Sequence, residues 1–229
     1  MARGVLVAGG TGALGAAVLR ELLDSGYAVT TTWMVERERE RVERDFADEH
    51  GLSLVEADLM EPADAERAVD SVEDLGAVVN LVGGFAAGPR VHETDPDEFE
   101  RLLKLNLRPG FLLARAAMPR LIEAGGGAFI GVSARPALRP FPGAAPYVTA
   151  KAAVLAFVQA LDADYRADGI RCNAILPSVI DTPANRAAQP DADFSKWVQP
   201  AEIANVIRFL ISDESAPTSG AAIPVYGRA

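Results

Sequence analysis

One cysteine and two histidines stand in a chain of 229 residues. Cys172 has no partner for an internal disulfide, and so few histidines make a zinc-ligand cluster unexpected. A disulfide-built secreted scaffold is thereby excluded, and a metal-centred mechanism is not anticipated. Basic residues are also scarce: 22 Lys plus Arg oppose 32 Asp plus Glu, a formal net charge of −10. Such a chain lacks the basic face needed to bind a phosphate backbone, so nucleic acid is not an expected partner. No apolar run nears the ~18 residues of a membrane span. Met1-Ala2-Arg3-Gly4 leads straight into an apolar strand without the core of a signal peptide. The expectation is a cytoplasmic protein with no membrane partner. What is present, 49% hydrophobic against 24% charged residues, is the balance of a single globular domain spanning 1–229.

Short apolar runs alternate with amphipathic stretches along the whole length, the pattern of a parallel sheet covered by helices on both faces. Seven strands are expected near 4–8, 28–33, 53–57, 77–82, 128–132, 171–176 and 222–225. Helices are expected near 13–25, 35–50, 62–72, 96–123, 147–168 and 200–212, with Pro62 and Pro200 at tolerated first-turn positions. Pro109-Gly110 should kink or split the fourth helix. The fold class is therefore α/β, a Rossmann-type doubly wound seven-stranded parallel sheet. The run 36–44, ERERERVER, alternates in sign at helical spacing and reads as a solvated face. Irregular segments 83–96, 134–146 and 177–199 follow strands at their carboxyl ends, where open α/β sheets bind ligands. The last is long enough to predict a mobile lid.

The first strand feeds Gly9-Gly10-Thr11-Gly12-Ala13-Leu14-Gly15 and then a helix. Glycines let the backbone approach a pyrophosphate, which the free N–H groups and the helix dipole stabilise. A merely tight strand-to-helix turn is the plainer alternative. Three further stretches fall at strand ends: Asp58-Leu59, placed to meet an adenine or else to cap a helix; Asn80 with Gly83; and Pro177 through Thr182, where a hydroxyl faces a nicotinamide carboxamide. The second strand ends at Trp33 with no acid for ribose hydroxyls, while Arg37 and Arg39 follow within a turn. The cofactor expected is thus NADPH or NADH, with a lean to NADPH.

Tyr147 and Lys151 lie one helical turn apart on one face. An ammonium beside a phenol stabilises the phenolate, making the pair a general acid or base. Lys151 is one of only three lysines, the others being Lys104 and Lys196; a snorkelling surface lysine is the alternative. Asn106 sits mid-helix, where asparagine is a poor helix former; with Pro109 disturbing the ladder, its side chain or its exposed carbonyl holds a water for proton relay, or else it faces solvent.

In order and spacing, the glycine turn, Asp58, Asn80 with Gly83, Asn106, Tyr147 with Lys151, and Pro177 to Thr182 resemble the short-chain dehydrogenase/reductase family. The resemblance implies hydride transfer with a nicotinamide, Tyr147 as proton donor, Lys151 binding the nicotinamide ribose and lowering the tyrosine pKa, Asn106 supporting a water relay, and a homodimer or homotetramer built on the long helices. Two departures stand out. Gly12-Ala13 shifts the usual glycine pattern, and the family's substrate-orienting serine falls on Ala134, with Ser133 one residue early. Both resemble the dihydropteridine reductase-like branch, as do 83–88 and 181–197. A conjugated C=N or quinonoid acceptor spreads its developing charge and manages with one donor, so its reduction is the expected reaction. A carbonyl reductase or alcohol dehydrogenase using Ser133 is the alternative, and a nucleotide-sensing non-enzyme a third.

Overall fold

The computed structural model describes residues 3–228. Seven strands form one sheet: β1 (Gly4–Ala8), β2 (Val29–Trp33), β3 (Leu52–Glu56), β4 (Leu75–Asn80), β5 (Gly127–Val132), β6 (Ile170–Pro177) and β7 (Ala222–Val225). Their order is β3-β2-β1-β4-β5-β6-β7, and all pairs are parallel. The chain winds outward from β1 in one direction and from β4 in the other. The crevice at the carboxyl ends of these two strands is the switch point of a doubly wound sheet.

Helices α1 (Ala13–Asp24), α2 (Glu36–Asp45), α3 (Pro62–Asp70), α4 (Pro96–Glu123), α5 (Ala145–Tyr165), α6 (Pro183–Ala188) and α7 (Pro200–Ile211) cover the sheet. Alternation along β1 shows why both faces must be covered. Leu6 and Ala8 pack into a core with Leu113 and Leu121 of α4 and Val158 of α5, while Val5 and Val7 point the other way, to Leu19 and Leu22 of α1 and Ile207 of α7. Side chains of α2 are largely exposed: only Val42 is buried, and Arg39 pairs with Glu36 and Glu43. Among the described residues no helix is long and apolar enough to cross a membrane.

Two expectations are narrowed. Of a kinked or a split fourth helix, the split is ruled out, since α4 runs 28 residues through both Pro109 and Pro119. Pro109 leaves the Leu105 carbonyl without its i+4 donor, but tertiary packing outweighs one lost ladder bond. Gly110 supports that packing, since a Cβ there would lie 2.9 Å from Asn80 Nδ2. Secondly, β4 starts at Leu75 and ends at Asn80, earlier than its apolar run indicates, because Gly4 pairs with Leu75 at the sheet edge.

The segment 177–199 carries bonded structure of its own. The Asp181 N–H donates to the Val198 carbonyl at 2.8 Å, and the Val198 N–H donates to Val179 at 3.0 Å. Between these rungs sits α6, beside the ion pair Arg186–Asp181 and a Gln199 side-chain bond to the same carboxylate. Those bonds hold the Asp181 carboxyl down at about 2. Phe194 stacks on Trp197 at 4.8 Å, and Arg186 covers the Phe194 ring.

Candidate active site

The crevice is built first from backbone. Gly9 adopts φ +82°, a left-handed conformation that turns the chain sharply out of β1. Gly10 and Gly15 are required by space: a Cβ on Gly10 would lie 2.1 Å from Thr31 Oγ1, and one on Gly15 would lie 2.5 Å from the Gly10 backbone. Gly12 is the N-cap of α1 and brings no capping side chain, and the first turn, from Ala13 and Leu14 onward, carries no acid. The free N–H groups and positive dipole end of α1 therefore face outward, as an anionic pyrophosphate requires. Thr11 gives its hydroxyl proton to Glu38 at 2.7 Å, and Arg41 bonds the Thr11 carbonyl.

At the end of β2 the Arg39 guanidinium sits over the Trp33 ring at 5.5 Å. Its charge is already held by Glu36 and Glu43, and Arg37 is exposed. Several strand-end residues do local structural work. Asp58 Oδ1 accepts from the Met60 N–H at 2.9 Å in a turn, and Leu59 is buried in the core. Asn80 Oδ1 accepts from the Val82 N–H at 3.2 Å. Thr182 Oγ1 accepts from the Asn185 N–H at 3.2 Å and caps α6, a bond that uses a lone pair and leaves the hydroxyl proton free.

At the chemical end Lys151 is buried, with Nζ donating to the Val132 carbonyl at 3.0 Å and lying 5.9 Å from the Tyr147 ring centre. Phe85 packs edge-on against Tyr147 at 4.9 Å. Gly83 lets the chain pass this point: a Cβ there would lie 3.0 Å from Lys151 Nζ and 2.6 Å from Asn106 Oδ1. Asn106, 1% exposed, clamps Gly84 from both sides, accepting from its N–H and donating to its carbonyl at 3.2 Å each, and also bonds the Leu102 carbonyl at 2.9 Å. Its side chain is thus occupied by the glycine loop rather than presented to a water.

Burial sets the protonation. It pushes the Tyr147 phenol up to about 12 and the Lys151 ammonium down to about 8. The sequence led to the expectation that the ammonium lowers the tyrosine; in the folded chain desolvation is the larger effect on both groups. Ser133 is buried and its hydroxyl donates to the Lys151 backbone carbonyl at 2.7 Å. It ties the end of β5 to α5, with its proton committed there.

These groups open onto a cavity of about 840 Å³ that includes Leu14, Gly83, Tyr147, Lys151, Ala134 and Pro177 in its wall. Arg135, Arg139 and Phe141 also line it, from the segment after β5. None of these three was singled out from the sequence. The available signal was two arginines four residues apart in a loop at a strand's carboxyl end, in a chain dominated by acids.

The family model described as Enoyl-(Acyl carrier protein) reductase matches residues 9–227. The chain belongs to the short-chain dehydrogenase/reductase family, and its fold and site are those of an NAD(P)-dependent oxidoreductase. It is 29% identical to 2-(R)-hydroxypropyl-CoM dehydrogenase of Xanthobacter autotrophicus, over 99% of this chain and 98% of that one. It is 29% identical to 3-alpha-(or 20-beta)-hydroxysteroid dehydrogenase of Mycobacterium tuberculosis, over 97% and 87%. Among solved structures, gluconate 5-dehydrogenase from Burkholderia cenocepacia, in complex with NADP and tartrate, superposes with a TM-score of 0.89 at 28% identity, covering 98% of this chain and 94% of that one.

Proposed function

We propose that this protein interconverts a carbonyl compound and the corresponding alcohol with NADP(H). The observation that carries the reading is the placement of the Tyr147 phenol and the Lys151 ammonium at one cavity that also reaches Leu14 at the start of α1. The uncapped, acid-free start of α1 fits a pyrophosphate, and the Gly83 backbone leaves room beside Lys151 that a side chain would fill. Gly9, Thr11, Gly12, Ala13 and Leu14 would hold the pyrophosphate, Trp33 would flank the adenine, and Lys151 would hold the nicotinamide ribose. The nicotinamide supplies a hydride when bound.

The chain's own residues manage the proton. A phenol raised to about 12 is fully protonated at neutral pH, so Tyr147 is set as donor to a carbonyl oxygen that gains negative charge. Lys151, fixed by Val132, places positive charge beside that phenol in a dry site, favouring the phenolate left behind. Asn106 positions the Gly83-Gly84 backbone against both. Because the Ser133 proton is committed to a backbone carbonyl, Tyr147 is the donor in this scheme without help from that hydroxyl.

The relatives reported above are dehydrogenases of alcohols and hydroxysteroids, and this supports the carbonyl–alcohol reaction over the conjugated C=N or quinonoid one. The second reading keeps one observation in its favour: Ala134 lines the cavity where a second hydroxyl donor is absent. The loss of NADPH absorbance, followed with ketones and aldehydes beside quinonoid dihydropterin, separates them. Turnover of carbonyls with little of the pterin is the expected result; turnover of the pterin alone would reverse the assignment. A homo-oligomer is also proposed, through the outer face of α4 and α5, where Phe111 and Ile122 are exposed beside Phe157.

A further inference from the structure

Charge is distributed very unevenly over this molecule. The chain carries ten more acids than bases, yet the wall of the 840 Å³ cavity contains Arg135, Arg139 and Lys151 and not one Asp or Glu. Elsewhere many arginines hold carboxylates, as Arg20 does Glu49, Arg67 Asp64, Arg166 Asp162 and Arg186 Asp181, while Arg41, Arg108, Arg120 and Arg171 bond backbone carbonyls. Among the described residues neither Arg135 nor Arg139 has a carboxylate within 4.0 Å, nor does either side chain donate to another protein group. Asp181, on the loop beyond Ile180, is held by Arg186 and Gln199 and does not line the cavity.

Local structure aims the two guanidiniums. A short 3-10 turn, Arg135–Ala137, follows β5, and the Leu138 and Arg139 N–H groups both donate to the Arg135 carbonyl at 3.0 Å. The turn brings the two side chains to one wall. Half-buried Arg135 lies over the Tyr226 ring at 5.1 Å. Stacking fixes the plane of a guanidinium through its face while leaving its in-plane N–H donors free, and those donors match an oxyanion bidentately. The rest of the lining is chiefly apolar, with Leu81, Phe85, Phe141, Val179 and Ile180.

We propose that the substrate of this site is an anion: a carbonyl compound or alcohol with an apolar body and a carboxylate or sulfonate held by Arg135 and Arg139, which orient the reacting oxygen toward Tyr147. This rests on the oxidoreductase reading and names its substrate class. The arginines are positioning residues; their charge acts on binding and orientation, not on the proton.

The test pairs each anion with its neutral counterpart: 4-formylbenzoate with its methyl ester, and 4-acetylbenzenesulfonate with the sulfonamide. Reduction by NADPH is followed beside calorimetric binding to the protein alone. The expected result is at least a tenfold higher kcat/KM for each anion than for its neutral partner, and tighter binding of the anion. Arg135→Gln and Arg139→Gln should each raise KM for the anions about tenfold, leaving the neutral compounds and the NADPH Kd unchanged. Added salt should weaken the anions selectively. Equal turnover of anion and neutral partner overturns the anion site and leaves the oxidoreductase reading standing, whereas selective anion binding without turnover of any carbonyl overturns the latter and keeps the former. A parallel loss for both compounds, with a raised NADPH Kd, would assign the arginines to the cofactor instead. Preference for carboxylate over sulfonate, or the reverse, names the anion.

Discussion

Around the turn from β1 to α1, Arg39 and Arg41 are bonded to protein groups and Thr11 gives its proton to Glu38; across the crevice, Lys151 is buried on one carbonyl and, among the described residues, Arg135 and Arg139 hold no carboxylate. The contrast separates two ways of making a site. The nucleotide end works by shape, with glycine-lined backbone and a helix terminus whose partial charges are built into the peptide units. The chemical end works by side-chain charge: the buried Lys151 ammonium, which counts for more where solvent is thin, with half-buried Arg135 and exposed Arg139 on the cavity wall.

The contrast is broken most sharply by removing the proton without touching the nucleotide end. Tyr147→Phe should lower kcat by about 10³-fold, within the range for a lost general acid, while NADPH binding stays unchanged by fluorescence titration. Full turnover in this variant would remove Tyr147 from the mechanism.

The converse change strikes the shape. Gly15→Ala puts a Cβ 2.5 Å from the Gly10 backbone, a clash the turn can relieve only by moving. The NADPH Kd should rise at least tenfold and stability should fall by about 1–3 kcal/mol, the usual cost of overpacking, with kcat at saturating cofactor much less affected. An unchanged Kd would mean that the turn does not hold the pyrophosphate.

The smallest effect is the most diagnostic of buried charge. The Lys151 ammonium titrates at about 8 in the fold against an ordinary 10.5. As pH rises through about 8 the positive charge is lost, so kcat/KM for NADPH, which reports the free enzyme, should fall. Stability moves the other way. Between about 8 and 10.5 the unfolded chain binds the extra proton, so this lysine's destabilising contribution, complete below 8, is relieved across that window. Opposite slopes of activity and stability are expected, and Lys151→Met should abolish both; parallel slopes would show that Lys151 is not the titrating group.

Legibility followed the range of the interaction. The glycine turn, the seven strands and the Tyr147–Lys151 pair were readable because turn chemistry, period and helical spacing act over a few residues. Thr182, Asp58 and Ser133 were identified as polar groups at strand ends, but their local bonds were not readable: whether a hydroxyl faces a ligand or caps a helix depends on an angle, not a residue type. Asn106 stands out in the sequence as a residue that needs a reason to sit mid-helix. That reason, the backbone of Gly84, lies 22 residues away and becomes visible only after folding. The segment 177–199 looked loose because its rungs join residues such as Asp181 and Val198, which have no local pattern in common.

By itself the sequence determined the layering, the order of strand and helix, the acid excess, and the residues able to carry a proton and accept a pyrophosphate, since composition and short-range periodicity suffice for these. Tertiary structure alone decided which charges are paired and which stay free. It committed Ser133 to the Lys151 carbonyl, desolvated Tyr147 and Lys151 in opposite directions, and gathered Arg135 and Arg139 into a wall without acids. The physical reason is that burial and electrostatic partnership depend on distance in space, which chain order does not encode.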